Sequence, residues 1–346
     1  MTTAAPGGRF FEDYSPGLIL THATPRTLTE GDRALYQALY GGRSAMHSSD
    51  AFAKAAGLGR SPLDDLIVFH TVFGKSVPDV SLNAVANLGY AEGRFLAPAY
   101  PGATLAARSE VIGVKETSSG KTGIVWVRTE GRDETGALLL SYVRWVLVRK
   151  RDPGAPPPAA QVPTLAVRVA PEDLVPPTGF ERAGFDLPLA GGTRFFEDYA
   201  PGEVIDHSLG TTVEEAEHMM ATRLWQNTAR VHFDGTLRED GRRLVYGGHV
   251  LSHARALAFN GLEASVGLAA INAGTHVNPC FAGITLFAWS EVLDAAATSH
   301  PGLGALRLRL VATSEPGRAG ALRDESGAYF GHVLLDFDHW VFVPRR

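Results

Sequence analysis

Cysteine is all but missing from this 346-residue chain: Cys280 stands alone, which excludes an internal disulfide framework and a cysteine-built structural zinc site. Long apolar runs are also missing, and none approaches the roughly 18 unbroken residues a membrane-spanning helix requires. There is no basic excess either. Lys plus Arg total 32 against 37 for Asp plus Glu, a net charge of −5, which argues against nonspecific nucleic-acid binding. Met1 to Gly8 has neither the basic stretch nor the apolar core of a signal peptide, so a cytoplasmic protein is expected. What is present is core material: 45% hydrophobic and 20% charged residues describe a folded chain rather than a disordered one. At about 150 residues per domain, the length suits two domains or one large one.

The chain is written twice. Arg9 to Gly17 reads RFFEDYSPG and Arg194 to Gly202 reads RFFEDYAPG, an offset of 194 − 9 = 185. At that offset His22 meets His207, Leu39 meets Leu224, His47 meets His232, Asn87 meets Asn272 and Gly89 meets Gly274. From Pro98 and Pro279 to Val111 and Val292 the offset becomes 181, and Trp145 meets Trp340 at 195. Such drift fits small length differences in loops. The boundaries read as a first repeat over 1–151, a connector over 152–192 and a second repeat over 193–346. Nine prolines between Pro153 and Pro188 make the connector extended.

Within each half an extended opening segment is followed by a helical stretch, Glu30 to Leu39 and Glu214 to Leu224. An apolar helix comes next, Leu66 to Gly74 and His249 to Phe259. The expected strands are Ala103–Lys115, Gly123–Arg128 and Leu138–Lys150, then Gly283–Leu293, Ala305–Ala312 and Gly331–Val343. Adjacent strands after a central helix suggest an antiparallel sheet wrapped around that helix, an α+β hot-dog unit, here duplicated into a double hot-dog.

Asn227 to Asp234 reads NTARVHFD, with His232 five residues after Asn227, and Tyr246-Gly247-Gly248-His249 opens the second apolar helix. This pattern resembles the MaoC-like, R-specific enoyl-CoA hydratases, in which an Asp stands five residues before the His; here that Asp is Asn227. Longer strings carry a closer likeness: HATPRT at His22, FGKSVPDVSLNA at Phe73, ANLGYA at Ala86, QNTARVHF at Gln226, VYGGH at Val245 and FAWSEVL at Phe287. Together they resemble the mesaconyl-CoA hydratases, also called 2-methylfumaryl-CoA hydratases or beta-methylmalyl-CoA dehydratases. The resemblance implies addition of water to mesaconyl-CoA, hydroxyl to the carbon bearing the free carboxylate and proton to the methyl-bearing carbon. It further implies a place in acetate or glyoxylate-derived carbon assimilation, and a homo-oligomer, dimer or higher. No cofactor or metal is expected, coenzyme A being part of the substrate.

Hydrating an enoyl thioester needs a polarised carbonyl, an activated water and a proton for the alpha carbon. Backbone N–H groups at a helix N-terminus suit the first need, and Gly248 is the candidate donor. His232 suits the second, since a neutral imidazole is the common base near pH 7. Asn227 can accept and donate hydrogen bonds but takes up no proton, so His232 moves both protons or a carboxylate such as Asp234 assists.

In the first half the counterparts are Gly42 for Asn227, His47 for His232 and Phe69 for Gly248, which implies one active site per chain, built mainly by the second half. His47 is then a packing or substrate-contact residue. The resemblance gives the first half part of the coenzyme A arm. A free acyl carboxylate needs a cation, for which Arg230 is placed best in sequence, with Arg223 and Lys75 behind it. His249 and His253, four apart in an apolar helix, do not read as metal ligands. The rival activities are a general enoyl-CoA hydratase, a thioesterase, which the missing Asp disfavours, and a non-catalytic acyl-CoA binder.

Overall fold

The computed structural model describes residues 7–346, so the reading of Met1 to Gly8 falls largely outside it. Helices begin where side chains take up the free N–H groups of the first turn. The Asp32 carboxylate accepts the Thr29 N–H at 2.8 Å at the start of α1 (Glu30–Tyr40). A single turn, α2 (Ala45–Ser48), leads to α3 (Asp50–Ala55), capped by Ser49. Asp64 caps α4 (Asp65–Val80), accepting the Leu66 N–H at 2.9 Å. The second half carries α5 (Glu215–Leu224) and α6 (Gly247–Leu257).

Eleven strands form one antiparallel sheet. They are β1 (Ile19–Thr21), β2 (Arg26–Thr27), β3 (Ala84–Phe95), β4 (Thr104–Glu116), β5 (Thr122–Arg132) and β6 (Leu138–Arg149), then β7 (Val204–Thr212), β8 (Gly267–His276), β9 (Thr285–Ala297), β10 (Leu303–Thr313) and β11 (Val333–Pro344). Their order is β1-β4-β5-β6-β3-β8-β11-β10-β9-β7, with β2 on β4. The first half of the sheet packs on α4 and the second on α6, which is the duplicated α+β hot-dog. Helix α4 earns its central place by composition, being buried from Leu66 through Val77.

The strands β3 and β8 were not expected from the sequence, yet they join the halves, with Tyr90 opposite Gly274 and Ala91 opposite Ala273. Their Gly- and Ala-rich sequences lack β-branched alternation, and Gly89 leaves room for the ring of Trp145 opposite it, which would lie 2.4 Å from a Cβ there. The register also corrects two repeat matches. Trp145 faces Gly89 while Trp340 faces Ala270, so β3 and β8 correspond at 270 − 89 = 181. Asn87 and Asn272 are therefore not equivalents. Likewise Asp64 caps α4 as Tyr246 precedes α6, an offset of 182, so the counterpart of Gly248 is Leu66 rather than Phe69.

The nine-residue repeat is a structural clip. Asp13 and Asp198 accept the N–H groups of Phe10 and Phe195, each at 2.9 Å, closing a tight turn. Glu12 and Glu197 take the N–H groups of Arg151 and Arg346 just past the last strand of each half. His22 and His207 are buried and reach Ser109 and Ser290 at 2.7 and 2.8 Å, tying each opening strand to the sheet. The connector forms no strand beyond one isolated bridge, but it is packed down: Phe180, Phe185 and Leu187 are buried, and Val169 N–H donates to Asn272 Oδ1 at 2.8 Å. Among the described residues no helix is long and apolar enough to cross a membrane.

Candidate active site

The turn after α5 places the first site residues. Trp225 is buried, and Gln226 takes a left-handed φ of 54°, which swings the chain back over α4. Gly74 makes room for it: a Cβ there would lie 1.8 Å from the Trp225 carbonyl oxygen. Lys75, the next residue of α4, donates to Gln226 Oε1 and, at 3.1 Å, to Thr24 Oγ1. Lys75 thus stands behind the turn and does not line the cleft beside it; burial lowers its ammonium pKa.

That cleft, about 250 Å³, lies between the halves. The first half supplies the C-terminal end of α4, the start of β3 and Arg144. The second supplies Asn227, His232, the N-terminus of α6 and His276 to Cys280. Asn227 Oδ1 accepts the Ala229 N–H at 3.0 Å, so the amide presents its Nδ2 donor and not its oxygen. His232 Nδ1–H donates to the Leu244 carbonyl at 2.8 Å. This bond fixes the tautomer, leaving Nε2 unprotonated with its lone pair free. Burial holds the imidazole below its ordinary pKa of 6.5, so it is neutral near pH 7.

The start of α6 is the other half of the constellation. No carbonyl of the described residues takes the N–H of Gly247 or Gly248, the first two in the helix. Gly247, not Gly248, lines the cleft, and a Cβ there would lie 2.6 Å from His276 Cε1. Gly248 is small for a different reason, since a Cβ would meet Tyr246 at 2.5 Å and His70 at 2.6 Å. The sequence reading missed His276, Tyr90, Tyr246 and Asn87. Tyr90 Oη lies 3.2 Å from His276 Nε2, and burial pushes His276 down to about 4. A histidine and a tyrosine on two strands that the periodicity did not reveal gave no local signal.

Two expected substrate contacts sit elsewhere. The Arg230 side chain is 69% exposed and pairs with Asp234 at 3.2 Å, because the 3-10 turn Arg230–His232 fans successive side chains about 120° apart and turns Arg230 to solvent. Asp234 caps the next turn through Thr236 N–H at 3.0 Å and has no place in the cleft. His47 lines separate, smaller cavities with Asp65, one of which also takes in Arg255. There the N-terminus of α4 meets Asp65, whose carboxyl accepts the Leu268 N–H at 2.7 Å and is pushed up to about 6 by burial. A carboxyl, that of Asp64 on the Leu66 N–H, occupies the helix end that in the second half stands open. Cys280 lines the main cleft, its thiol pushed up to about 12 by burial.

The site can thus polarise a carbonyl at a helix N-terminus, hold a water beside a neutral His, and exclude bulk solvent with apolar walls. The sequence model of the mesaconyl-CoA hydratase family matches residues 2–316. The chain belongs to the mesaconyl-CoA hydratase family. It is 61% identical over 98% of both chains to the mesaconyl-CoA hydratase of Cereibacter sphaeroides. It is 52% identical to the beta-methylmalyl-CoA dehydratase of Chloroflexus aurantiacus, 100% of each being covered. A crystal structure of a MaoC domain protein dehydratase from Chloroflexus aurantiacus superposes with a TM-score of 0.96, 52% identity and full coverage of both chains. A Mycobacterium tuberculosis protein with a double hot-dog fold matches at 24% identity and a TM-score of 0.75, over 99% of this chain and 100% of its own. Members of this family are hydro-lyases, and the matched span includes position 227.

Proposed function

We propose that the protein reversibly hydrates mesaconyl-CoA to beta-methylmalyl-CoA, with one active site per chain. The observation that carries the reading is the pairing of His232 Nε2, free in the cleft, with the unoccupied N–H groups at the start of α6. The N–H of Gly247, which lines the cleft, receives the thioester oxygen, where the helix dipole favours the negative charge of the enolate. Asn227 Nδ2 donates to the attacking water and turns one of its protons toward His232. His232 Nε2 accepts that proton as the oxygen bonds to the beta carbon, next to the free carboxylate. The imidazolium then returns the proton to the alpha carbon as the enolate collapses, so a single titrating group serves both steps. Dehydration runs the same path backwards. Family membership and the names of the two close relatives support the substrate. In the first half, Asp64 holds the Leu66 N–H at the start of α4, while the matching N–H in the second half stays free, which supports a single site.

The test follows the conjugated-thioester absorbance when purified protein meets mesaconyl-CoA, with crotonyl-CoA in parallel. Loss of absorbance with mesaconyl-CoA and appearance of beta-methylmalyl-CoA are expected. Turnover of crotonyl-CoA alone would make this a general enoyl-CoA hydratase, and no change with either would leave a binding protein.

A further inference from the structure

Arg144 on β6 is the most unusual charge in the molecule. Its side chain is completely buried, yet its donors reach only hydroxyls: Ser76 Oγ at 2.8 Å and Ser81 Oγ at 3.3 Å. Its Nε–H has no partner at all. The guanidinium stacks 4.4 Å over the Phe73 ring and lies at the C-terminal end of α4, where the helix dipole favours a cation. No carboxylate among the described residues pairs with it. Burying an arginine without a counter-ion is costly, and these partial compensations fall short of an ion pair. Arg144 lines the cleft, and it is the one Lys or Arg to do so, with no Asp or Glu beside it.

A second observation points the same way. Asn87 lines the same cleft, and both polar atoms of its amide are buried without a partner. Asn87 stands opposite Val146 on β6, two residues from Arg144, while Tyr90 stands opposite Arg144 itself. Two underused donors therefore converge on the first-half wall, facing the second-half chemistry across the cleft. The coenzyme A phosphates are multiply charged and keep their hydration at the protein surface, so a completely buried guanidinium serves the acyl end of the ligand.

Resting on the reading of the cleft as a mesaconyl-CoA site, we infer that Arg144, assisted by Asn87, binds the free carboxylate of the acyl chain and selects dicarboxylic monothioesters over plain enoyl-CoA. The role expected of Arg230 passes to Arg144. The carboxylate supplies the missing counter-ion, accepting from the guanidinium fork and from Asn87 Nδ2. Ser76 and Ser81 hold the fork in place from behind. Arg144 is thus a specificity-determining residue, while the proton chemistry stays with His232.

The experiment measures kcat/KM for mesaconyl-CoA and crotonyl-CoA in the wild type, in Arg144→Gln and in Asn87→Ala. Wild-type turnover of mesaconyl-CoA is read first, and its absence would sink the substrate reading before any variant is made. Given that turnover, Arg144→Gln is expected to lower the mesaconyl-to-crotonyl ratio of kcat/KM by roughly 10² or more. Asn87→Ala, which strands no partner because it has none, is expected to lower the ratio by about tenfold, mainly through KM. Free mesaconate is expected to inhibit the wild type competitively and to lose that effect in both variants. Equal losses on the two thioesters, in variants with wild-type circular dichroism, would overturn the assignment. If Arg144→Gln fails to fold, an unchanged ratio in Asn87→Ala together with no inhibition by mesaconate overturns it instead.

Discussion

The halves meet over a set of buried histidines, and this makes the fold acid-labile in a calculable way. His70 reaches Tyr246 Oη and Ser252 Oγ at 3.2 and 2.8 Å, and His218 Nε2 accepts the Tyr246 N–H at 3.1 Å. His253 and His249 touch at 3.1 Å, while His207 binds Asn260 and Ser290. Burial pushes His70 and His218 down to about 3, and His207 and His253 down to about 4. In the unfolded chain each titrates near 6.5, so below that pH the unfolded state binds protons that the folded state refuses. Stability must therefore fall as pH falls. Between pH 7.5 and 5.5 each imidazole shifts the balance toward unfolding by about 1.4 kcal/mol, and the four together by about 5 kcal/mol. That sum is a ceiling, because the His249–His253 contact couples some of the protonations. It still matches the whole stability of a typical domain, about 5–15 kcal/mol. Urea unfolding followed by tryptophan fluorescence at half-unit pH steps measures it. The midpoint should drop steeply from pH 6.5 to 5.5 with little change in slope, and His253→Gln should flatten the dependence by about a quarter. A midpoint constant from pH 7.5 to 5.5 would refute the argument, since it would mean these imidazoles are already hydrated or charged in the folded protein.

Other expectations follow from the same geometry. Because burial lowers the His232 pKa, the acidic limb of kcat/KM should fall below pH 6.5, and Asn227→Asp should raise it by about one unit through the added carboxylate, as a pH–rate profile would show. Gly247→Ala should lower kcat by roughly 10² with the fold intact by circular dichroism, since its Cβ would push His276 away from the helix end proposed to receive the thioester oxygen. Gly74→Ala should instead cost about 3 kcal/mol in urea unfolding, because the obstructing atom is a backbone carbonyl that has no rotamer to escape into. Arg230→Ala, expected from sequence to cripple mesaconyl-CoA binding, should leave KM for that substrate within about twofold, since the exposed Arg230 pairs only with Asp234 outside the cleft.

Much of this protein is local and was therefore legible. A duplicated clip, two apolar helices, six long alternating strands and a proline-dense connector each announce themselves within a dozen residues, because propensity and periodicity act over that range. His232, Asn227 and the glycine pair at α6 were singled out the same way, as short strings in a fixed order. What the chain order could not carry was the pairing of β3 with β8, whose small residues break the alternation that marks a strand. With that pairing unseen, Asn87, Tyr90 and His276 had no reason to be considered together. The two arginines show the limit most plainly. Arg230 is two residues from His232 yet turns to solvent, while Arg144 is 88 positions away and faces the same cleft. Sequence determined which chemistry this chain can perform, since residue types and helix ends set that. Only the packing of one half on the other decided which arginine is buried without a counter-ion, because desolvation is a property of the whole enclosure and not of any segment.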